Sequence, residues 1–169
     1  LITMDMPTRF PVAERPAAYA HRRGQIEAYF DRTAVQAWAR LLQVAPTLLS
    51  TVEAELKQAG LPPTQWYDAL AALEREPQQS LTPGEIEQQL LLTQCTTSRL
   101  IDRLVAEGHA LRVVNPDDRR RQSVHLSPAG KALIARMWPV YAGAIKRHVG
   151  QKLAPDDAQV LIRILEKLA

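Results

Sequence analysis

Arg119, Arg120 and Arg121 follow Asp117 and Asp118 within NPDDRRRQSVHLSPAG, residues 115–130. Guanidiniums stay charged at any physiological pH, so three in a row repel one another in water. Such a run is either a solvated turn or a group held ready for an anion. Residues 99–121 hold six arginines against four acids, while the rest of the chain carries 15 basic and 14 acidic residues. The formal charge of +3 is therefore concentrated around this stretch, which points to an anionic partner.

Other chemistries find less support. Cys95 is the sole cysteine, which rules out an internal disulfide or a multi-cysteine zinc site. One thiol fits a reducing compartment, and near a helix N-terminus it is a candidate oxidant sensor. His21, His109, His125 and His148 are scattered without metal-ligand spacing, so no metal is expected. The chain has no Gly-rich phosphate loop, no nucleophile elbow and no paired carboxylates in a catalytic context. An enzyme is not expected, and neither is a cofactor.

The 169 residues, 46% hydrophobic and 23% charged, suit one globular domain. No apolar run approaches the ~20 residues of a membrane span, so no membrane association is expected. The opening LITMDMPTRF lacks a continuous apolar segment of the secretory type, and a cytoplasmic location is expected. Because the chain begins with Leu1, its start is expected at Met4, at Met6 or upstream.

These residues must be positioned by a scaffold. Pro7, Pro11 and Pro16 punctuate a start in which residues 17–30 are expected to form a short helix. Val35, Trp38, Leu42, Ala45, Leu49, Val52 and Leu56 step by three and four, a heptad stripe along one helix with a kink expected at Pro46. Gly60 ends it, and a second helix spans about 63–75. Thr82-Pro83-Gly84-Glu85 reads as a capping box opening a short helix through Ile86 and Leu90. After a break near Leu92–Gln94, another helix runs to Glu107 and stops at Gly108. Its apolar face is Leu100, Ile101, Leu104 and Val105, with Arg99, Asp102 and Arg103 opposite. Two short helices with a tight connection make a helix-turn-helix.

ALRVV at 110–114 and QSVHL at 122–126 read as strands flanking the arginine turn. Ser127 caps and Pro128 opens a long helix, bent at Pro139 and ending near Gly150. Pro155 opens the last helix, with an apolar stripe of Leu161, Ile164, Leu165 and Leu168. The expected fold is mostly α with a small β-hairpin wing: a winged helix-turn-helix flanked by long helices. A helix of this kind can enter the major groove of duplex DNA while the wing reaches the minor groove, where negative potential favours arginine. Asp117 and Asp118 are expected to hold the wing arginines by ion pairs.

The stretch SRLIDRLVAEG…LRVVNPDDRRRQSVHLSPAG resembles the wing-containing core of the MarR family of transcription regulators. The matching positions are Ser98, Arg99, Asp102, Arg103, Leu104, Gly108, Asp118, Arg120, Leu126, Ser127 and Gly130. The resemblance extends over about residues 33–169. It departs from the family at Arg121, where a Gly is usual after the wing arginines, and at His109, where an apolar residue is usual. The family's sensing cysteines lie in the first helix, which Cys95 does not match.

The resemblance implies a homodimer whose terminal helices interlock and which binds pseudo-palindromic operator DNA, often relieved by a small ligand or an oxidant. The expected organisation is an N-terminal extension, 1–32, followed by a single domain, 33–169. Within it, 33–60 and 128–169 would dimerise and 61–127 would form the DNA-binding lobe. The expected DNA contacts are Thr96, Thr97, Ser98, Arg99, Arg103, Arg119, Arg120 and Arg121. For Thr96, Thr97 and Ser98, helix initiation is the competing role. For Arg99 and Arg103, it is pairing with Asp102, Glu107 or Asp118, with partial pairing expected for Arg103. Trp38, Trp66, Tyr67, Asp68 and Trp138 could line a pocket for a small aromatic ligand, or be plain core. A winged-helix module that contacts protein instead of DNA is the alternative function.

Overall fold

The computed structural model describes residues 32–114 and 122–168. The chain falls into two compact units, one up to Thr47 and one from Leu48 onward. The expected helix at 17–30 lies outside the described residues. In the first unit, the described residues are the opening turns of α1 (Arg32–Gln58), with Pro46 inside the helix. Of the heptad stripe, only Val52 and Leu56 are buried, both in the second unit.

In the second unit α2 (Thr64–Arg75) has no side-chain cap of its own, since Pro63 occupies the N-cap. Glu53 of α1 supplies one instead. Its Oε1 accepts from the Thr64 backbone N–H at 3.0 Å and from the Thr64 hydroxyl at 2.7 Å. A carboxylate there satisfies an orphan donor and opposes the positive end of the helix dipole. Thr64, Trp66, Ala69, Leu70, Ala72 and Leu73 turn inward and form the centre of the core.

Helix α3 (Pro83–Leu90) opens with the expected capping box: Thr82 accepts from the Glu85 N–H, and Glu85 accepts from the Thr82 N–H at 2.7 Å. It ends at Leu91, whose left-handed backbone (φ 52°) turns the chain into α4 (Gln94–Ala106). Gly108, at φ 76°, ends α4 where a side chain would be strained.

The sequence suggested a two-stranded hairpin; the sheet has three strands. β2 (Ala110–Val114) pairs antiparallel with β3 (Gln122–Leu126), from Ala110 opposite Leu126 to Val114 opposite Gln122. A two-residue strand, β1 (Ser80–Leu81), adds to the other side of β3 with Ser80 opposite His125. A strand of two residues has no readable alternation, which is why the pattern did not betray it.

Helix α5 (Pro128–Ile145) is capped by Ser127, whose hydroxyl accepts from the Gly130 N–H at 3.0 Å and donates to the Gly108 carbonyl at 2.6 Å. One buried hydroxyl thus joins the end of α4 to the start of α5. A Cβ on Gly130 would collide with the His109 carbonyl oxygen and lie 2.8 Å from Leu126 Cδ1, so this approach requires glycine. The helix passes into a π-helical turn at Lys146–Gly150, so the helical run ends at Gly150 as the sequence pattern suggested. There Arg147 Nη2 and His148 Nε2 both bond the Glu55 carboxylate, the latter at 2.6 Å. Helix α6 (Pro155–Glu166) follows and buries none of its residues.

Candidate nucleic-acid interface

Helix α4 is seated by Thr97, Leu100, Ile101 and Leu104, all buried. At ~100° per residue, the direction opposite that seat is occupied by Cys95, Arg99 and Asp102, flanked by Ser98 and Arg103. All five are exposed. The seat buries apolar surface against the rest of the unit, and burial leaves the polar face pointing outward.

The first turn divides the three expected hydroxyl contacts. Thr93 is the N-cap and accepts from the Thr96 N–H at 3.4 Å. The Thr93 and Thr96 hydroxyls lie 2.9 Å apart. Thr97 is buried and donates its hydroxyl to the Thr93 carbonyl at 3.1 Å, the helix-initiating role. Ser98 alone of the three is fully exposed.

Asp102 pairs with a residue the sequence reading did not consider. Arg112 of β2 donates from Nη2 to Asp102 Oδ1 at 2.7 Å. The pair ties the base of the wing to the exposed face of α4. Asp102 thus has Arg112, and not Arg103, as its ion-pair partner. Among the described residues neither Arg99 nor Arg103 forms an ion pair. Together with Gln65, Trp66 and Thr96 they line a cleft of about 240 Å³ between the first turn of α2 and the flank of α4. Ten residues separate Asp102 from Arg112, so no local periodicity signals their pairing; only the turn at Gly108 and the strand direction bring them together. Arg119, Arg120 and Arg121, with Asp117 and Asp118, lie outside the described residues.

The aromatic group is dispersed. Trp66 is buried, its ring edge-on to His109 at 5.8 Å. His109 thereby fills the place of an apolar residue, with its Nδ1 buried and unbonded. Tyr67 stacks on Trp138 at 5.7 Å and meets Tyr141 edge-on at 5.2 Å. Tyr141 was missed, although it follows Trp138 by three residues on one helix. Trp38 lies in the first unit and is 63% exposed. Asp68 and Tyr67 line a cleft of about 320 Å³ that Trp66 and Trp138 do not reach. Burial pushes the Asp68 carboxyl above the usual range, opposed by Arg75 and reinforced by Glu53. Cys95 is exposed in the first turn of α4. Among the described residues no cluster of His, Cys, Asp and Glu could hold a metal, and no helix is long and apolar enough to cross a membrane.

Comparison with known proteins places this arrangement. A profile of the MarR family matches residues 59–121. The chain is 30% identical over 111 residues to the uncharacterized HTH-type transcriptional regulator YkoM of Bacillus subtilis, covering 66% of this chain and 70% of that one. Sco3205 of Streptomyces coelicolor, a MarR family transcriptional regulator solved in complex with DNA, superposes with a TM-score of 0.75. The match has 22% identity over 83% of this chain and 88% of the other. BpsR of Bordetella bronchiseptica, whose DNA binding is regulated by 6-hydroxynicotinic acid, superposes with a TM-score of 0.65. Its identity is 21%, over 76% of this chain and 98% of the other. The chain belongs to the MarR family of transcriptional regulators.

Proposed function

We propose that this protein is a ligand-responsive repressor that binds a pseudo-palindromic operator as a homodimer in the cytoplasm. The observation that carries the reading is the outward face of α4. Arg99 and Arg103 stand there without ion-pair partners among the described residues, and Asp102 is held by Arg112. Arg99 on such a helix can reach guanine in the major groove through two parallel hydrogen bonds. Thr96, Ser98 and Arg103 border it and grip phosphates, and Thr97 contributes by fixing the first turn. Residues 115–121 supply Arg119, Arg120 and Arg121 to the minor groove.

The dimer is supported by apolar surface that one chain leaves bare. On α6 Leu161, Ile164 and Leu165 are 41%, 50% and 41% exposed, and on α1 Val35, Leu42 and Leu49 are about half exposed. In this reading residues 33–60 and 128–169 dimerise a single domain, 33–169, and residues 61–127 carry the DNA-binding surface behind an extension, 1–32. Two copies would then address half-sites about 34–36 Å apart. The ligand is a small aromatic molecule met by Tyr67 and Asp68, with Trp138 behind Tyr67. It acts only as far as it favours one dimer form over another.

The test is to recover genomic DNA fragments retained by the full chain and to titrate salt. A specific site should emerge, with log affinity falling against log salt by roughly 0.9 per phosphate neutralised. Retention of no fragment above background would overturn the reading and favour a winged-helix module that contacts protein.

A further inference from the structure

Asp68, Ala71, Ala72 and Arg75 stand at i, i+3, i+4 and i+7 of α2, which places them on one stripe of the helix. They line the cleft of about 320 Å³ together with Tyr67 and with Gln89 from the end of α3. Along the helix axis the Cα positions of Asp68 and Arg75 are separated by a rise of ~10.5 Å. Among the described residues neither side chain has a hydrogen bond or ion pair, although each lies in the other's field.

Between the poles the floor is made of two methyl groups, with Ala72 buried and Ala71 half-buried. Tyr67 forms one wall, its ring fixed by Trp138 and Tyr141. Gln89 forms the other, its Nε2 directed at Glu76 Oε1 at 3.5 Å, which leaves its amide oxygen uncommitted as an acceptor. A simple anion would meet repulsion from Asp68, and from Glu53 beyond it. A simple cation would meet repulsion from Arg75. A molecule carrying both charges meets neither.

We propose that this cleft binds a small bipolar molecule, with an ammonium group against Asp68, a carboxylate against Arg75 and a flat apolar middle over Ala71 and Ala72 beside Tyr67. The proposal names the ligand class for the ligand-responsive reading and rests on it for its regulatory meaning. Because α3 precedes α4 by a three-residue turn, a molecule bridging α2 and α3 bears on the position of α4.

Three probes built on one benzene ring test the site on the full chain by calorimetry: 4-(aminomethyl)benzoate, which carries both charges, 4-methylbenzoate, which keeps the carboxylate, and benzylamine, which keeps the ammonium. The bipolar probe should bind roughly tenfold or more tighter than either other, since it adds a charge-assisted contact at each end. Asp68→Asn should reduce its affinity to about that of 4-methylbenzoate, and Arg75→Gln to about that of benzylamine. Circular dichroism melts confirm that each variant folds. Equal affinity for all three probes, no binding at millimolar concentration, or indifference to both substitutions would each overturn the proposal. Operator retention is measured separately. Binding in the expected order without DNA release leaves the cleft assignment standing and removes ligand-responsive repression.

Discussion

Helices α4 and α6 are nearly equal in length, 13 and 12 residues, and both are amphipathic. They end in opposite conditions. α4 presses Thr97, Leu100, Ile101 and Leu104 into its own unit and turns arginines outward. α6 carries an equally regular stripe of Leu161, Ile164 and Leu165, continued by Leu168 just past its end, and buries nothing. Amphipathicity states that a helix needs a partner; it does not state whether that partner is in the same chain. For α4 the apolar debt is met internally, so its outward face is free for a polyanion. For α6 it is unmet, and a second copy is the partner we propose.

The most drastic way to break this comparison is to delete residues 156–169. We expect dimerisation and operator binding to vanish together, read by sedimentation and by DNA retention. A truncated chain that remains folded, monomeric and fully operator-competent would refute the role given to α6. A finer test pairs Leu104→Ala with Leu165→Ala. The first opens a cavity in a fully buried site and should cost about 2–5 kcal/mol at any protein concentration. The second should act through association, so its effect on urea unfolding should grow as the protein is diluted. Parallel concentration dependence in both variants would erase the distinction between the helices.

Within the DNA-facing half, Arg99→Ala should cost about 1–3 kcal/mol more on operator than on scrambled duplex. Arg120→Ala should weaken both duplexes alike and lower the salt slope by about one. Equal losses on both duplexes for Arg99→Ala would reduce it to a phosphate clamp. The smallest effect concerns Glu55, whose carboxyl is held below the usual range first by the hydrogen bond from Arg147 and then by that from His148. A lowered folded value means the carboxylate stabilises the fold above the ordinary glutamate range. That contribution is lost as pH falls through the lower value. Glu55→Gln should therefore flatten the acid side of a stability-against-pH curve, and an unchanged acid limb would show that the cluster carries no linkage.

Much of this protein was legible from local chemistry. The Thr82–Glu85 capping box, the Gly108 stop and the Ser127-Pro128 start depend on groups within four residues of one another, and the strands at 110–114 and 122–126 announce themselves by composition around a short turn. Backbone satisfaction and side-chain periodicity act at that range, so the sequence by itself determined the helix-turn-helix, the wing strands and the outward face with Arg99 and Arg103. What depended on distant groups was decided only by tertiary structure. The β1 strand exists because β3 offers it an edge. The cap on α2 comes from Glu53 on another helix. Arg112 rather than Arg103 takes Asp102. Trp66 goes to the core while Tyr67, its neighbour, reaches the cleft, because consecutive residues on a helix diverge by ~100°. The aromatic residues therefore suggested one pocket in sequence, whereas helical geometry divided Trp66 from Tyr67 and placed Arg75, two turns further along α2, on the same cleft as Asp68.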